Sequence, residues 1–435
     1  MVIKHYDLRG KGRRIPEILK GRVSGLPRGD ESGVEALVRS ILEDVARKGD
    51  AALAAFTERF DRVKLVPRRF EIKREEISAA LANTDAGLLS AMKRARHNVE
   101  DYHRQTLPCS QRYTSTDGSA LGERVTPIER VGVYVPGGKA FYPSTVLMTV
   151  VPAKVAGCEE IVVVSPPSYN GTIHPAILAA ASLAGATKVF RIGGAQAVAA
   201  LAYGTKTVPA VDKIVGPGNV YVTAAKRLVA RTVEIDKEAG PTEIVIIADE
   251  TANPRWVAAD MLSQAEHEED AVAILLTDSA RLARTVAKQL EEQLDALPRK
   301  RFAKQALKKR GAIVMVSDLD EAVRLSNMRA PEHLSLMVKK PRELLKLVKN
   351  AGAIFLGPFS PVAVGDYMAG PSHVLPTGGT ARFASALTVN DFLKRSAVIA
   401  YTKKRLAKEA DHITRLAEAE GFDAHAESVR LRLER

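Results

Sequence analysis

The 435-residue chain is short of cysteine, tryptophan and long apolar runs, and each shortage excludes something. Its two cysteines, Cys109 and Cys158, belong to no C-x-x-C pair, so a cysteine-rich zinc site is excluded. Two idle thiols, with Cys158 packed ahead of Ile161-Val162-Val163-Val164, fit a cytoplasmic protein better than a disulfide does. No run of about 18 apolar residues is present, so no membrane span is expected. The start, Met1-Val2-Ile3-Lys4-His5-Tyr6, has neither a long apolar core nor a small-residue cleavage site, and no signal peptide is expected. There is no G-x-G-x-x-G dinucleotide fingerprint, no tandem repeat and no low-complexity linker. With a single Trp, the chain has little to stack on bases. Its net charge of +13 concentrates in helical stretches such as Arg299-Lys300-Arg301 and Lys308-Lys309-Arg310, so no nucleic-acid partner is expected.

What is present is an ordinary globular composition, 46% hydrophobic and 26% charged. The length suits roughly two to four domains. Helical spacing runs from Glu35 to Phe60, with a break at Lys48-Gly49-Asp50, and again over Arg74–Leu81 and Gly87–Arg104. Near Arg130 the character changes. Val131–Val135, Ile161–Ser165, Lys188–Ile192 and Lys213–Val215 read as strands alternating with helices. A second alternating region has strands at Ile244–Ala248, Ala271–Leu276, Ala312–Val316, His333–Val338 and Ala353–Leu356. Its helices include Asn253–His267, with Pro254 in the first turn, and Ala280–Leu297. After about Leu387 helices are expected again, with a short apolar run at Ala397–Tyr401. This rhythm predicts an α/β protein with parallel-rich sheets in two lobes, and a cleft holding ligands at the C-terminal ends of strands.

Several residues that carry metal or proton chemistry stand in unusual local settings. Gln264 and His267 lie in S-Q-A-E-H, three apart on a predicted helix and so on one face, where a carbonyl oxygen and an imidazole nitrogen can reach one metal. Alone, the pair equally fits a polar helix surface. Asp366 and His373 lie in a Gly/Pro-rich segment from Gly357 to Thr380, of the kind that more often serves function than filler. Glu332-His333 precedes a strand; the two can divide acid–base work, or serve as a cap and a satisfied core histidine. Glu420 and His425 sit near the C-terminus. Four of nine histidines fall in these settings. Three glycine turns follow strands: Pro136-Gly137-Gly138, Gly193-Gly194-Ala195-Gln196 and Gly216-Pro217-Gly218-Asn219. Each lets backbone approach a ligand at a helix N-terminus, or simply turns the chain sharply.

Taken together these segments resemble the histidinol dehydrogenase family over nearly the whole chain. The match runs through V-G-V-Y-V-P-G-G-K-A-F-Y-P-S-T-V-L-M, G-G-A-Q-A-V-A-A-L-A-Y-G-T, V-G-P-G-N-V-Y-V, A-G-P-T-E, S-Q-A-E-H, A-P-E-H-L, G-D-Y-M-A-G-P-S-H-V-L-P-T-G-G-T-A-R and E-A-E-G-F. The resemblance implies two Rossmann-like α/β lobes with helical N-terminal and C-terminal extensions. The expected division is an arm at 1–25, a first lobe from 26–130 and 240–386, a second lobe from 131–239 on the NAD side, and a helical tail at 387–435 that reaches the partner subunit. The implied reaction takes L-histidinol through L-histidinal to L-histidine with two NAD, the last steps of histidine biosynthesis.

The same resemblance implies one Zn2+ per subunit, with Gln264, His267, Asp366 and His425 as ligands. It makes His333 the base and Glu332 the activator of water. Thr242, His373 and Glu420 become substrate contacts beside His333 and the zinc ligands, and Tyr134, Gln196 and Asn219 contacts to NAD. It implies a homodimer with shared active sites, His425 and Glu420 serving the partner. Two departures are small: Thr242 stands where many relatives have Ser, and Glu268 and Glu269 add negative charge near the zinc. The alternatives are a dehydrogenase of another alcohol on the same scaffold, such as a sulfonated diol, and a zinc hydrolase. Glu420 argues against an anionic substrate, and a hydrolase would leave the NAD contacts without a task.

Overall fold

The strands that open on Glu243 and on Arg130 each found a parallel sheet, and the two sheets have the same order. The computed structural model describes residues 3–10, 13–21, 31–137, 141–238 and 240–434. In the first sheet the strands run Lys4–Asp7, Gly311–Met315, Val272–Thr277, Glu243–Ala248, His333–Met337, Ala353–Leu356, all parallel. In the second they run Lys188–Phe190, Glu160–Val164, Arg130–Tyr134, Lys213–Val215, Glu234–Ile235, also parallel. Numbered by chain position within each lobe, and setting aside the added edge strand Lys4–Asp7, both read 3-2-1-4-5. The order reverses beside the first strand of each, the place where open α/β sheets part to make a crevice. The expected α/β architecture with parallel-rich sheets is what the chain adopts.

The sequence reason is plain in the strands. E-I-V-I-I-A and V-A-I-L-L-T are buried along their whole length, as strands covered by helices on both faces must be. Helices Pro254–Ala265, Ala280–Leu294 and Lys300–Arg310 cover one face of the first sheet, and Leu319–Arg329 with Pro341–Leu345 covers the other.

The destination of the N-terminal helices differs from expectation. Residues 26–130 were grouped with the first lobe, but Glu31–Lys48 packs Val38, Ile41, Leu42 and Val45 against Gly194–Tyr203 and Val220–Val229 of the second. Arg74–Ala82 and Ala86–Gln105 pack on the opposite side of that lobe, against Pro175–Ala184 and Pro143–Ala156. Helical periodicity shows which face is buried, not which sheet buries it. The 25/26 boundary, and Gly138 of the first glycine turn, lie outside the described residues. Of the expected arm, Lys4–Asp7 is the edge strand of the first sheet.

The tail also differs. Helices were expected after Leu387, yet Leu393–Ala400 is a strand, antiparallel to Ala120–Pro127, which pairs with Gln111–Thr114. Its side chains are mostly exposed, Ile399 at 72%, so it lacks the buried run or clean alternation that marks a strand. Helices Lys403–Ala419 and Asp423–Arg430 follow as expected and pack on each other.

Candidate active site

Glu332 and His333, the expected acid–base pair, stand at the start of a strand, not at its end. Glu332 precedes His333–Met337, beside Thr242-Glu243 at the start of the neighbouring strand. Helix Pro254–Ala265 runs back along that sheet, which brings Gln264 to the same edge. Asn253 caps it by accepting from Arg255 N at 2.9 Å, with Pro254 at its first position. In the first lobe Glu332, His333 and Gln264 thus lie at the N-terminal ends of the strands, the edge opposite to the one open α/β sheets commonly use. In the second lobe Tyr134 ends a strand, and Gln196 and Asn219 stand at the starts of the helices after two others.

Around Glu332 the bonds form a chain. The Gln264 side-chain nitrogen donates to the Thr242 hydroxyl. Thr242 donates in turn to Glu332 Oε2 at 2.6 Å, and the Glu243 N–H reaches the same oxygen at 2.9 Å. With Oε2 accepting twice, a proton on this carboxyl belongs on Oε1. Burial pushes Glu332 up to about 8, helped by the negative charges of Glu243 and Asp366 and opposed by those two hydrogen bonds.

His333 Nδ1 lies 3.0 Å from the Glu243 carbonyl oxygen. A carbonyl only accepts, so Nδ1 carries the proton and Nε2 presents a lone pair. Burial lowers the pKa of His333 and keeps it neutral. A carboxyl pushed up beside an imidazole pushed down is the arrangement expected of an acid and a base working near neutral pH.

Three donors that can hold a metal gather here. The Gln264 side chain is 1% exposed and its Oε1 has no hydrogen-bond partner, an orphaned buried acceptor. His267, in the turn after the helix, donates from Nδ1 to the Ser263 carbonyl at 3.0 Å, which leaves Nε2 as a lone-pair donor. Asp366 lies on the short helix Val362–Tyr367, within the segment read as irregular. There Gly365 packs on the Phe355 ring, so closely that a Cβ would lie 2.8 Å from it. Burial raises the Asp366 pKa, and the positive charge that His333 and His267 can carry draws it back down. Oxygen, nitrogen and carboxylate donors of this kind suit zinc.

His373 faces the other lobe. Its Nε2 is 3.4 Å from the Thr145 hydroxyl on helix Pro143–Ala156, and burial pushes its pKa down to about 4. In the second lobe the Tyr134 hydroxyl accepts from Gly194 N at 3.1 Å, and burial pushes that phenol up to about 12. Asn219 Oδ1 accepts from Tyr221 N and Val222 N, both at 3.1 Å. Gln196 is buried and its Nε2 has no partner. The turn at Gly216 needs glycine, for φ is +107° and a Cβ would lie 2.2 Å from the Tyr134 carbonyl oxygen. Buried Lys226 holds that turn, pairing with Asp236 and donating to Gly216 O at 2.9 Å.

Glu420 and His425 are not brought to this site within one chain. Both are exposed, on tail helices tied to the body through Thr402 to Ser119 and Arg405 to Asp117. Among the described residues no three His, Cys, Asp or Glu side chains gather to hold a metal. Of the four ligands expected from the resemblance, Gln264, His267 and Asp366 lie on the first lobe and His425 lies on the tail. Two residues escape the sequence reading: Glu243, whose backbone N–H and carbonyl contact Glu332 and His333, and Arg329, its buried ion-pair partner. A charge opening the apolar run E-I-V-I-I-A was the available signal.

The fold is two α/β lobes, and at the strand starts of one of them a carboxyl pushed up in pKa, Glu332, adjoins an imidazole pushed down, His333. A sequence profile of histidinol dehydrogenase matches residues 26–433. The chain is 52% identical over 398 residues to the histidinol dehydrogenase of a Synechococcus species, covering 92% of each. It is 50% identical to that of Geobacillus kaustophilus, over 96% of this chain and 99% of that one. The crystal structure of the histidinol dehydrogenase from Elizabethkingia anophelis superposes with a TM-score of 0.93 at 37% identity, over 99% of this chain and 98% of that one. The chain belongs to the histidinol dehydrogenase family.

Proposed function

We propose that the protein oxidises L-histidinol to L-histidine through L-histidinal in two NAD-dependent steps, at the end of histidine biosynthesis, in the cytoplasm. His333 Nε2 takes the alcohol proton in the first step. In the second, Glu332 takes a proton from water as that water adds to the aldehyde. A carboxylate whose pKa sits near 8 is a stronger base than an ordinary one. Tyr134, Gln196 and Asn219 would hold NAD, which would supply the hydride acceptor. Gln264, His267, Asp366 and the partner subunit's His425 would hold zinc, which would supply a Lewis acid with affinity for imidazole and amine nitrogen. Thr242 and His373 line the substrate's place.

Glu420 and His425 complete the site of a partner subunit. Their absence from the site within one chain supports that reading, as does the unspent acceptor of Gln264. The homodimer is tested by mixing inactive Glu332→Gln and His425→Asn subunits. Recovery of activity supports sharing, and no recovery counts against it.

The observation that carries the proposal is the placement of Glu332 and His333 on the two backbone groups of one residue, the N–H and the carbonyl of Glu243. The deciding experiment is NADH formation with L-histidinol, before and after chelation and again with zinc restored. Two NADH per histidinol, lost on chelation and regained, is the expected result. No NADH from folded, zinc-loaded protein moves the assignment to another alcohol, such as a sulfonated diol.

A further inference from the structure

The residue whose backbone N–H and carbonyl hold Glu332 and His333 is itself held by a buried ion pair. Glu243 and Arg329 side chains are 1% and 3% exposed and pair across the starts of the two central strands. Arg329 Nη1 also donates to the Ile18 carbonyl at 2.9 Å, and Glu243 Oε1 accepts from Gly378 N at 3.1 Å. The Glu243 carboxylate is thus anchored at one end while its backbone meets the reacting groups at the other. Its N–H reaches Glu332 at 2.9 Å and its carbonyl reaches His333 at 3.0 Å. Arg329 lies three residues before Glu332, with Ala330 between them in the left-handed region at φ +51°. The same pair therefore fixes both chain segments that deliver the site.

A buried ion pair is a poor source of stability, since an apolar pair of similar volume serves as well or better. What an apolar pair would not supply is a fixed direction for the Glu243 backbone. The loop that carries His373 is tied to the same place, with Gly378 on Glu243 and Thr377 Oγ1 accepting from Gly240 N at 2.6 Å.

We propose that Arg329 and Glu243 are positioning residues for both oxidations: the ion pair fixes the Glu243 backbone, whose N–H sets the Glu332 orientation and whose carbonyl sets the His333 tautomer. This rests on the dehydrogenase reading above. It predicts a signature that loss of either reacting group lacks. Glu332→Gln should damage the aldehyde step more than the alcohol step, whereas loss of the pair should damage both.

The test uses full-length Glu243→Gln, Arg329→Met and the double variant, which leaves no unpaired buried charge. NADH formation is followed from L-histidinol and, separately, from L-histidinal. We expect the double variant to fold and to lose about tenfold or more in kcat for both substrates, with KM for histidinol changed less than about threefold. A readout free of turnover accompanies it: 15N NMR of the His333 ring should show Nδ1 protonated in the native protein and a tautomer mixture in the double variant. A folded double variant with native kcat, loss confined to one step, or an unchanged His333 tautomer would each overturn the proposal. So would failure of all three variants to fold, which would make the pair structural. If the native enzyme forms no NADH from histidinol, the activity assignment fails, and the tautomer measurement still decides the positioning claim.

Discussion

The Gln264 side-chain nitrogen donates to the Thr242 hydroxyl, and that bond decides which way the amide faces. With its nitrogen committed, the carbonyl oxygen is left buried and without a partner. The hydroxyl that receives the bond passes its own proton toward Glu332 at 2.6 Å. A metal donor and a proton acceptor are thus oriented by one small side chain.

Thr242→Val should therefore harm two properties at once. We expect zinc affinity to fall by about tenfold or more, as for loss of a group that orients a ligand. The aldehyde step should slow by about tenfold to a hundredfold, because Glu332 loses a donor and its orientation. Thr242→Ser keeps the hydroxyl and should stay close to native in both. Zinc titration and NADH formation from histidinal measure the two effects separately.

Glu332 makes stability depend on pH between its unfolded and folded pKa values. Its folded pKa is raised from 4.5 to about 8 by burial. Between those values the folded form holds a proton that the unfolded form has lost. The contribution is complete below pH 4.5 and disappears as pH rises through 8. In metal-free protein Glu332→Gln should match the native Tm near pH 5 and exceed it above pH 8, by up to about 5 kcal/mol in stability. A constant difference across this range would contradict the assignment.

His103 works in the opposite sense and at lower pH. It is buried on helix Ala86–Gln105, neither ring nitrogen has a partner, and burial pushes its pKa from 6.5 down to about 4. The unfolded chain gains a proton first as pH falls, so the stability this residue allows is complete above 6.5 and is lost as pH falls through 4. His103→Leu, which cannot charge, should be more stable than the native protein at pH 4.5 and show a smaller difference at pH 8. Denaturant melts at the two pH values check this.

Tyr134→Phe removes the acceptor of the Gly194 N–H and leaves the ring in place. A buried unpaired donor costs about 1–3 kcal/mol, and Tm should fall accordingly. Because the bond shapes the helix start beside Gln196, KM for NAD should rise while KM for histidinol holds. Equal changes in both would place the effect elsewhere.

The sheets were legible because buried parallel strands are continuous apolar runs, and E-I-V-I-I-A or V-A-I-L-L-T can hardly be read otherwise. The helix start at Asn253-Pro254 was legible from its cap. Strand Leu393–Ala400 was not, since most of its side chains face solvent and its pairing with Ala120–Pro127 spans some 270 residues of chain. At the site, Gln264, His267, Asp366, Glu332 and His333 were legible as chemistry-bearing types. Glu243 was not, because it acts through its backbone on residues about 90 positions away, and a backbone contact leaves no mark on residue type. The edge of the sheet that carries the site depends on helix direction and three-dimensional order, which periodicity does not report.

A lobe that meets its substrate with the beginnings of its strands has an entire opposite rim released from that duty. On that rim lie Asp249, Asp278 and Asp318; burial raises the pKa of Asp278, and the charges of Asp249, Glu250 and Asp318 raise it further. Such mutual repulsion is free to persist where no turnover depends on it. Replacing Asp278 by Asn should be felt by the solubility and melting of the protein, while the reaction on the far side of the sheet runs on unaware.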